Sequence, residues 1–351
     1  MKNTKGPMRV SWQRLSLIVL CVILALVLFV LLFATAYVHH LLDLITVNPD
    51  DSLHETLSSE QLATATDDDH DPFFTGPSVG HEDVTQATLP STPKENLKVD
   101  GVINIMLVGE DRRPGESRQR SDSMILCSFN TNKNTITMIS FLRDTYISKI
   151  PGFWAEKLNA AYCFGGFKTM DETLAAYFGV HVDANVVVDF DGFKSIIDLL
   201  GGVDIELTQK EADHLNGQKS TWKLTAGMNH LNGDQALAYS RIRKIDMDAM
   251  RAQRQRKVLT ALINSYKSKS VTEMASLASQ ILQTGFIKTD MTSSEVLNYV
   301  TTLFPMLSSA TINSQQIPAA GTYTDMTVGN ITYTKVADLE VNRKILQRIF
   351  Q

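Results

Sequence analysis

Apolar residues fall into three regimes along the chain. From 15 to 38 there is no charged residue, and nearly every position is Leu, Ile, Val, Ala or Phe. About 20 consecutive apolar residues are enough to span a bilayer, so this run is expected to form a transmembrane helix. Lys2, Lys5, Arg9 and Arg14 precede it without an acid. Asp43, Asp50, Asp51, Glu55 and Glu60 follow it, and the next lysine is Lys94. The positive-inside rule then puts 1–14 in the cytoplasm and everything after 38 outside the cell, as a single-pass protein of the cell membrane. Ala34, Thr35 and Ala36 offer the rival reading of a cleaved signal peptide, although the apolar run exceeds the roughly 7–15 residues of a signal core. The next segment, 39–98, is poor in large apolar residues, above all at 46–97. It is rich in Asp, Thr, Ser and Pro, a composition that predicts a flexible extracellular stalk.

From 99 onward the pattern is that of a folded domain. Short apolar or alternating runs predict strands at 102–108, 123–129, 135–141, 185–190, 203–207, 310–317 and 331–334, with a hairpin turn at 131–134. Helical spacing predicts helices at 170–178, 192–200, 234–240, 248–267, 271–282 and 293–307, and a last one from about 337. Gly201 and Gly202 close the second of these, and Gly165 and Gly166 read as a turn. The alternation of strands and helices predicts an α/β fold with helices on both faces of a mixed sheet, as one domain over 99–351.

Composition narrows the picture. The 351 residues carry a formal net charge of -5, with 44% hydrophobic and 20% charged positions. That is ordinary for a globular domain, and the acidity excludes a general nucleic-acid binder. Cys21 falls in the apolar span, while Cys127 and Cys163 are expected to be packed thiols rather than a bridge. The run Asp67, Asp68, Asp69, His70 and Asp71 reads as a solvated charge run ahead of a cation site.

The arginines are segregated. Beyond Arg14 most fall in two islands: Arg112, Arg113, Arg118, Arg120 and Arg143, then Arg241, Arg243, Arg251, Arg254 and Arg256. Asp111, Asp122 and Asp144 interleave with the first, Asp246 and Asp248 with the second. The guanidinium fork matches phosphate oxygens bidentately, and aspartate suits Mg2+. The first island follows strand ends, so neighbouring strands would gather three of its loops at one sheet edge, where α/β folds bind ligands. Arg251, Arg254 and Gln255 stand at i, i+3 and i+4 and are expected to share a helical face. Against the phosphate site stands the bland reading of a solvated basic helix. The dense apolar block of Val186, Val187, Val188, Phe190, Phe193, Ile196 and Ile197 reads as core or as the wall of a lipid slot. No GxxxxGK[ST] loop or HExxH pair occurs, and His181, His214 and His230 are isolated.

These motifs resemble the LytR-CpsA-Psr family. The resemblance is carried by INIMLVGEDRR at 103–113, RSDSMI at 120–125, FLRDTY at 141–146, KLNAAY at 157–162 with Gly165 and Gly166, DGFKSIIDLLGGV at 191–203, and LNGDQALAYSRIR at 231–243 with Arg251 and Gln255. It implies an extracellular Mg2+-dependent phosphotransferase with an α-β-α sandwich fold. Such an enzyme moves a glycopolymer (teichoic acid, capsule or a related polysaccharide) from a polyprenyl-pyrophosphate carrier to peptidoglycan, and an apolar slot holds the lipid. Matched by position, Asp111 and Asp122 would hold the metal, and Arg120, Arg143, Arg241, Arg243, Arg251 and Gln255 would grip phosphates. Arg113, Asp144 and Lys157 would lie close by, with Asp144 the candidate base. The chain departs from the family at Leu142, usually proline, at Glu110 and Arg112 beside Asp111, and at Arg256, usually a second glutamine. Alternative readings are a polyprenyl-pyrophosphate phosphatase, a transcription attenuator of the envelope and a non-catalytic wall-binding module.

Overall fold

The computed structural model describes residues 98–110, 112, 118–243, 245, 246, 248–267, 280, 281, 284–328 and 331–351, preceded by 53, 55–58 and 61. The cytoplasmic segment, the apolar span, most of the stalk and nearly all of the helix expected at 271–282 lie outside the described residues. Among the described residues no helix is long and apolar enough to cross a membrane.

The three strands β1 (Val102–Glu110), β2 (Ser121–Asn130) and β3 (Thr135–Phe141) form an antiparallel meander. Asn134, with φ of 50°, takes the left-handed conformation at the hairpin turn, which asparagine tolerates. Two short hairpin strands follow, β4 (Tyr146–Ile147) and β5 (Glu156–Lys157), then helix α1 (Asn159–Phe178) and β6 (Ala184–Asp189). Next come α2 (Phe190–Leu199), the pair β7 (Val203–Leu207) and β8 (Gly227–Leu231), and between that pair α3 (Gln209–Gln218). Helices α4 (Gly233–Ser240) and α5 (Asp248–Lys267) lead to β9 (Ile287–Thr289), α6 (Ser293–Ser309), β10 (Thr311–Ile317), the hairpin β11 (Tyr323–Val328) and β12 (Ile331–Val336), and α7 (Leu339–Phe350).

The central sheet has the order β10-β3-β2-β1-β6-β9. β6 runs parallel to β1 and β10 parallel to β3, so the sheet is mixed. Alternation sends Met106, Val108, Met124, Leu126 and Ile139 to one face, where they pack with α1 and α7. The intervening Ile125, Cys127 and Met138 meet Leu259 and Ile263 of α5 on the other. This is the expected α-β-α sandwich. A separate apolar cluster holds α2, α3, α4 and the β7–β8 pair together around Ile197, Leu215 and Tyr239. The strand directions bring the C-terminal ends of β1, β3, β6 and β10 and the start of β2 to one edge, as the motif spacing anticipates.

Several boundaries differ from expectation, each for a physical reason. Helix α1 begins eleven residues before the predicted 170, because its axis continues through a kink at Gly165 and Gly166. Gly166 has φ of 68°, and a Cβ there would stand 1.7 Å from the Leu53 carbonyl oxygen. Leu53 itself is 1% exposed and belongs to the core. Leu57 N donates to Phe164 O at 3.1 Å, so this part of the predicted flexible stalk is packed on the domain. β6 stops one residue early, because Asp189 caps α2 by accepting from Gly192 N at 2.8 Å. Helix α3 was not expected, since it buries only Glu211, Ala212 and Leu215, and a Thr208–Glu211 capping box marks its start. Cys127 and Cys163 are both free and buried, as expected. Burial pushes their thiols up, to about 12 and about 11.

Candidate active site

The edge formed by β1, β2, β3 and β6 carries the predicted cluster. Asp122, the second residue of β2, is its hub. Arg143 Nη1 donates to Asp122 Oδ1 at 3.1 Å, and Arg243 Nη2 reaches the same oxygen at 3.4 Å. Arg251 Nη2 donates to the Asp122 carbonyl at 3.0 Å. Asp144 lies 3.7 Å from Arg143 Nε and 3.0 Å from Lys157 Nζ. Arg120 Nη1 meets Asn159 Oδ1 at 3.4 Å, and its Nη2 lies 3.6 Å from Glu156. Arg120, Arg143, Lys157 and Arg251 are buried, Asp122, Asp144, Arg243 and Gln255 half-buried, and Arg241 exposed. Arg120, Arg143, Lys157, Arg243 and Arg251 gather at one edge, a concentration of positive charge that favours an anion.

Local structure explains these positions. The short β4–β5 hairpin pairs Tyr146 with Lys157 and Ile147 with Glu156, carrying both charged residues back under the β3 loop. Leu142 N donates to Ile317 O at 2.8 Å, and Asn159 N donates to Arg143 O at 3.2 Å. A proline at 142 would lack the first of these bonds, so leucine here anchors the Arg143 loop to β10. Arg241 lies over the Phe190 ring, 4.2 Å from its centroid.

Next to the cluster lies a cavity of about 250 Å³ between the sheet and α2, α4 and α5. Leu107, Ile125, Val188, Phe193, Ile196 and Leu259 form its apolar walls, while Asp122, Arg241, Arg251 and Gln255 stand at its polar end. The apolar block divides between this cavity and the core. Val188, Phe190, Phe193, Ile196 and Ile197 line the slot, whereas Val187, with Phe164, Phe167, Tyr177 and Phe178, packs in the α1-side core.

Not every island residue joins. Arg254 does not share the face of Arg251. Its Nε donates to Glu211 Oε1 at 2.7 Å and its Nη1 to Asp246 Oδ1 at 3.0 Å, with a further short contact from Nη2 to Asp246 Oδ2. Arg254 and Gln255 are about 100° apart around the axis, so only one of them points into the cavity with Arg251. Arg256 faces β10, where its Nε donates to Ser314 Oγ at 2.6 Å, and burial pushes its guanidinium down to about 10. Arg118 donates to Cys163 O at 3.2 Å and to Glu55 O at 2.6 Å, a structural role. Glu110 is buried 3.1 Å from Arg112; burial pushes its carboxyl up, partly offset by that guanidinium. Asp111 and Arg113 lie outside the described residues. Glu156 and Asn159, the partners of Arg120, were missed, since nothing in their spacing sets them apart from structural residues.

Mg2+ binds through one or two carboxylates together with substrate phosphate oxygens and water. Asp122, half-buried at the cavity's polar end, fits one such ligand. Among the described residues no group of three or more His, Cys, Asp or Glu side chains is placed to hold a metal ion.

Comparison with known proteins gives a consistent result. The LytR_cpsA_psr family matches residues 74–348. The chain is 31% identical over 221 residues to the polyisoprenyl-teichoic acid–peptidoglycan teichoic acid transferase TagU of Bacillus anthracis, covering 62% of this chain and 70% of that one. Among solved structures it is similar to TagT bound to LI-WTA, with a TM-score of 0.59 and 27% identity over 75% of this chain and 97% of the other. It is also similar to the LytR-CPS2A-psr family protein YwtF (TagT) with bound octaprenyl pyrophosphate lipid, with a TM-score of 0.56 and 25% identity over 75% and 97%.

Proposed function

Because the chain belongs to the LytR-CpsA-Psr family, we propose that it is a membrane-anchored transferase that moves a teichoic-acid-type glycopolymer from polyprenyl pyrophosphate to peptidoglycan outside the cell. The observation that carries this reading is the apolar cavity that ends in Arg241, Arg251, Gln255 and Asp122. A polyprenyl pyrophosphate has the same polarity order, hydrocarbon first and two phosphates at its end. The charge asymmetry about 15–38 supports the orientation.

The chemistry follows from the charges. A peptidoglycan hydroxyl oxygen bonds to the sugar-side phosphorus, and the bond from that phosphorus to the bridging oxygen breaks. Polyprenyl monophosphate departs, and the hydroxyl proton passes to Asp144. Phosphoryl transfer needs positioning and charge neutralisation more than covalent help. Arg143, Arg243 and Arg251 converge on Asp122 and so stand pre-arranged around the pyrophosphate. Arg120 and Lys157 extend the positive edge, and Asp144 is held by Lys157 and Arg143. Asp122, with Asp111 by sequence motif, would hold Mg2+, which supplies further neutralisation of the pyrophosphate when bound.

The test is an assay with labelled lipid-linked polymer and peptidoglycan. Label attached to the wall polymer, with release of polyprenyl monophosphate, is the expected outcome. Release of polymer phosphate and polyprenyl monophosphate without attachment, water having taken the place of the peptidoglycan hydroxyl, would make the protein a phosphatase instead.

A further inference from the structure

A second depression adjoins the cationic edge on the solvent side of α4. It encloses about 420 Å³ and is lined by Gln218, Trp222, Asp234 and Leu237, and it shares Arg241 and Arg243 with the phosphate cluster. Leu237 and Arg241 line this groove and the lipid cavity alike, so lipid slot, guanidinium cluster and groove are contiguous. Its volume falls in the roughly 300–1,000 Å³ range of small-ligand sites.

The groove's chemistry differs from that of both neighbours. Trp222 ends a short 3-10 turn, Ser220–Trp222, and is partly exposed while its other side packs on the cluster around Leu215 and Tyr239. The exposed ammonium of Lys219 stands 5.7 Å from its ring centroid, a displaceable cover. Asp234 is exposed, with Lys194 Nζ 4.0 Å away, and Gln218 is exposed on the last turn of α3. A phosphate gains nothing from an indole and is repelled by Asp234. A pyranose ring has an apolar C–H face for the indole and hydroxyls for the carboxylate and the amide. On the transferase reading, Arg241 and Arg243 at the inner end would hold a phosphate to which such a ring is bonded.

We propose that this groove is the saccharide subsite of the enzyme, with Trp222 as its stacking platform and Asp234 and Gln218 as hydroxyl partners. The inference rests on the transferase reading above and adds to it the residues that select the sugar. The ring is either the glycopolymer sugar bonded to the pyrophosphate or a sugar of the peptidoglycan acceptor.

The experiment uses the full chain in detergent, with octaprenyl pyrophosphate and a polyprenyl pyrophosphate bearing a disaccharide as calorimetric probes. Trp222→Ala is expected to weaken binding of the sugar-bearing lipid about tenfold, the scale of one lost aromatic contact, while octaprenyl pyrophosphate binds as before. Asp234→Asn moves affinity in the same direction by less, and Trp222→Phe, which keeps the packing, restores most of it. A rise confined to the KM for a soluble peptidoglycan glycan, with donor affinity unchanged, assigns the groove to the acceptor sugar. Equal affinities of Trp222→Ala, Asp234→Asn and wild type for both lipids, with an unchanged acceptor KM, would overturn the proposal. An equal loss for both lipids would overturn it too. If wild type fails to bind octaprenyl pyrophosphate at all, the transferase reading itself has failed, and the sugar-bearing lipid still reports on the groove.

Discussion

Replacing Arg143 separates catalysis from folding. Its Nη1 bonds Asp122 at 3.1 Å, and its Nε faces Asp144 at 3.7 Å. In Arg143→Ala neither carboxylate is left alone: Asp122 keeps Arg243 at 3.4 Å and Asp144 keeps Lys157 at 3.0 Å. The stability loss is therefore about 1–3 kcal/mol, the cost of a lost charged hydrogen bond, rather than the roughly 3–5 kcal/mol of an orphaned buried ion. Catalysis loses one preorganised cation facing the transferring phosphoryl group, worth about 100- to 1,000-fold in rate, or about 3–4 kcal/mol of barrier. Arg143→Lys keeps the charge without the fork and should recover only part of the rate. Transfer of labelled lipid-linked polymer, read beside a thermal melt, measures both quantities. A folded Arg143→Ala that transfers at more than about a tenth of the wild-type rate would refute the reasoning.

Other consequences follow from the same geometry. Arg254 is the cation of buried Glu211, so Arg254→Ala should cost about 3–5 kcal/mol in denaturant titration; a loss below about 1 kcal/mol, the worth of a surface pair, contradicts the buried pairing. Leu53 is packed in the core beside the α1 kink, so Leu53→Ala should lower stability by about 2–5 kcal/mol, whereas a free stalk predicts no change in the melt. Asp171 hydrogen-bonds Asn185 at 2.9 Å, and burial, reinforced by Asp290, pushes its carboxyl up to about 7. The folded state then holds this proton more tightly than the unfolded chain, so its stabilising contribution is full below about pH 4 and is lost as pH rises through about 7. The melting temperature of Asp171→Asn should gain on wild type between pH 5 and pH 8, and a gap that stays constant would contradict this. If Asp144 takes the acceptor's proton, Asp144→Asn should slow transfer with little change in lipid binding; unimpaired transfer removes it from that role.

Much of the site was readable because its chemistry is written in spacing. Alternation fixed β1, β2 and β3, whose antiparallel order alone puts the Asp122 and Arg143 loops side by side. Helix α5 lies at 248–267 as expected, because Val258, Leu259, Leu262 and Ile263 recur at helical spacing and neither Gly nor Pro interrupts the segment. What was not readable depends on partners distant in sequence. Arg251 and Arg254 look alike in the chain, and Glu211, on a helix too polar to announce itself, draws Arg254 away together with Asp246. Gly165 and Gly166 signal a turn, yet the helix resumes because the Leu53 backbone fills the space a side chain would need. Trp222 carries no motif and gains meaning only from its place beside Arg241.

The central claim is that one continuous path binds the lipid in the apolar cavity and its phosphates at the arginine edge. A crystal structure of the folded domain, including residue 53, with octaprenyl pyrophosphate tests it most directly. The tail should lie between the sheet and α2, α4 and α5, with phosphate oxygens on Arg143, Arg241 and Arg251. A lipid bound elsewhere, or phosphates held away from those guanidinium groups, would contradict the account.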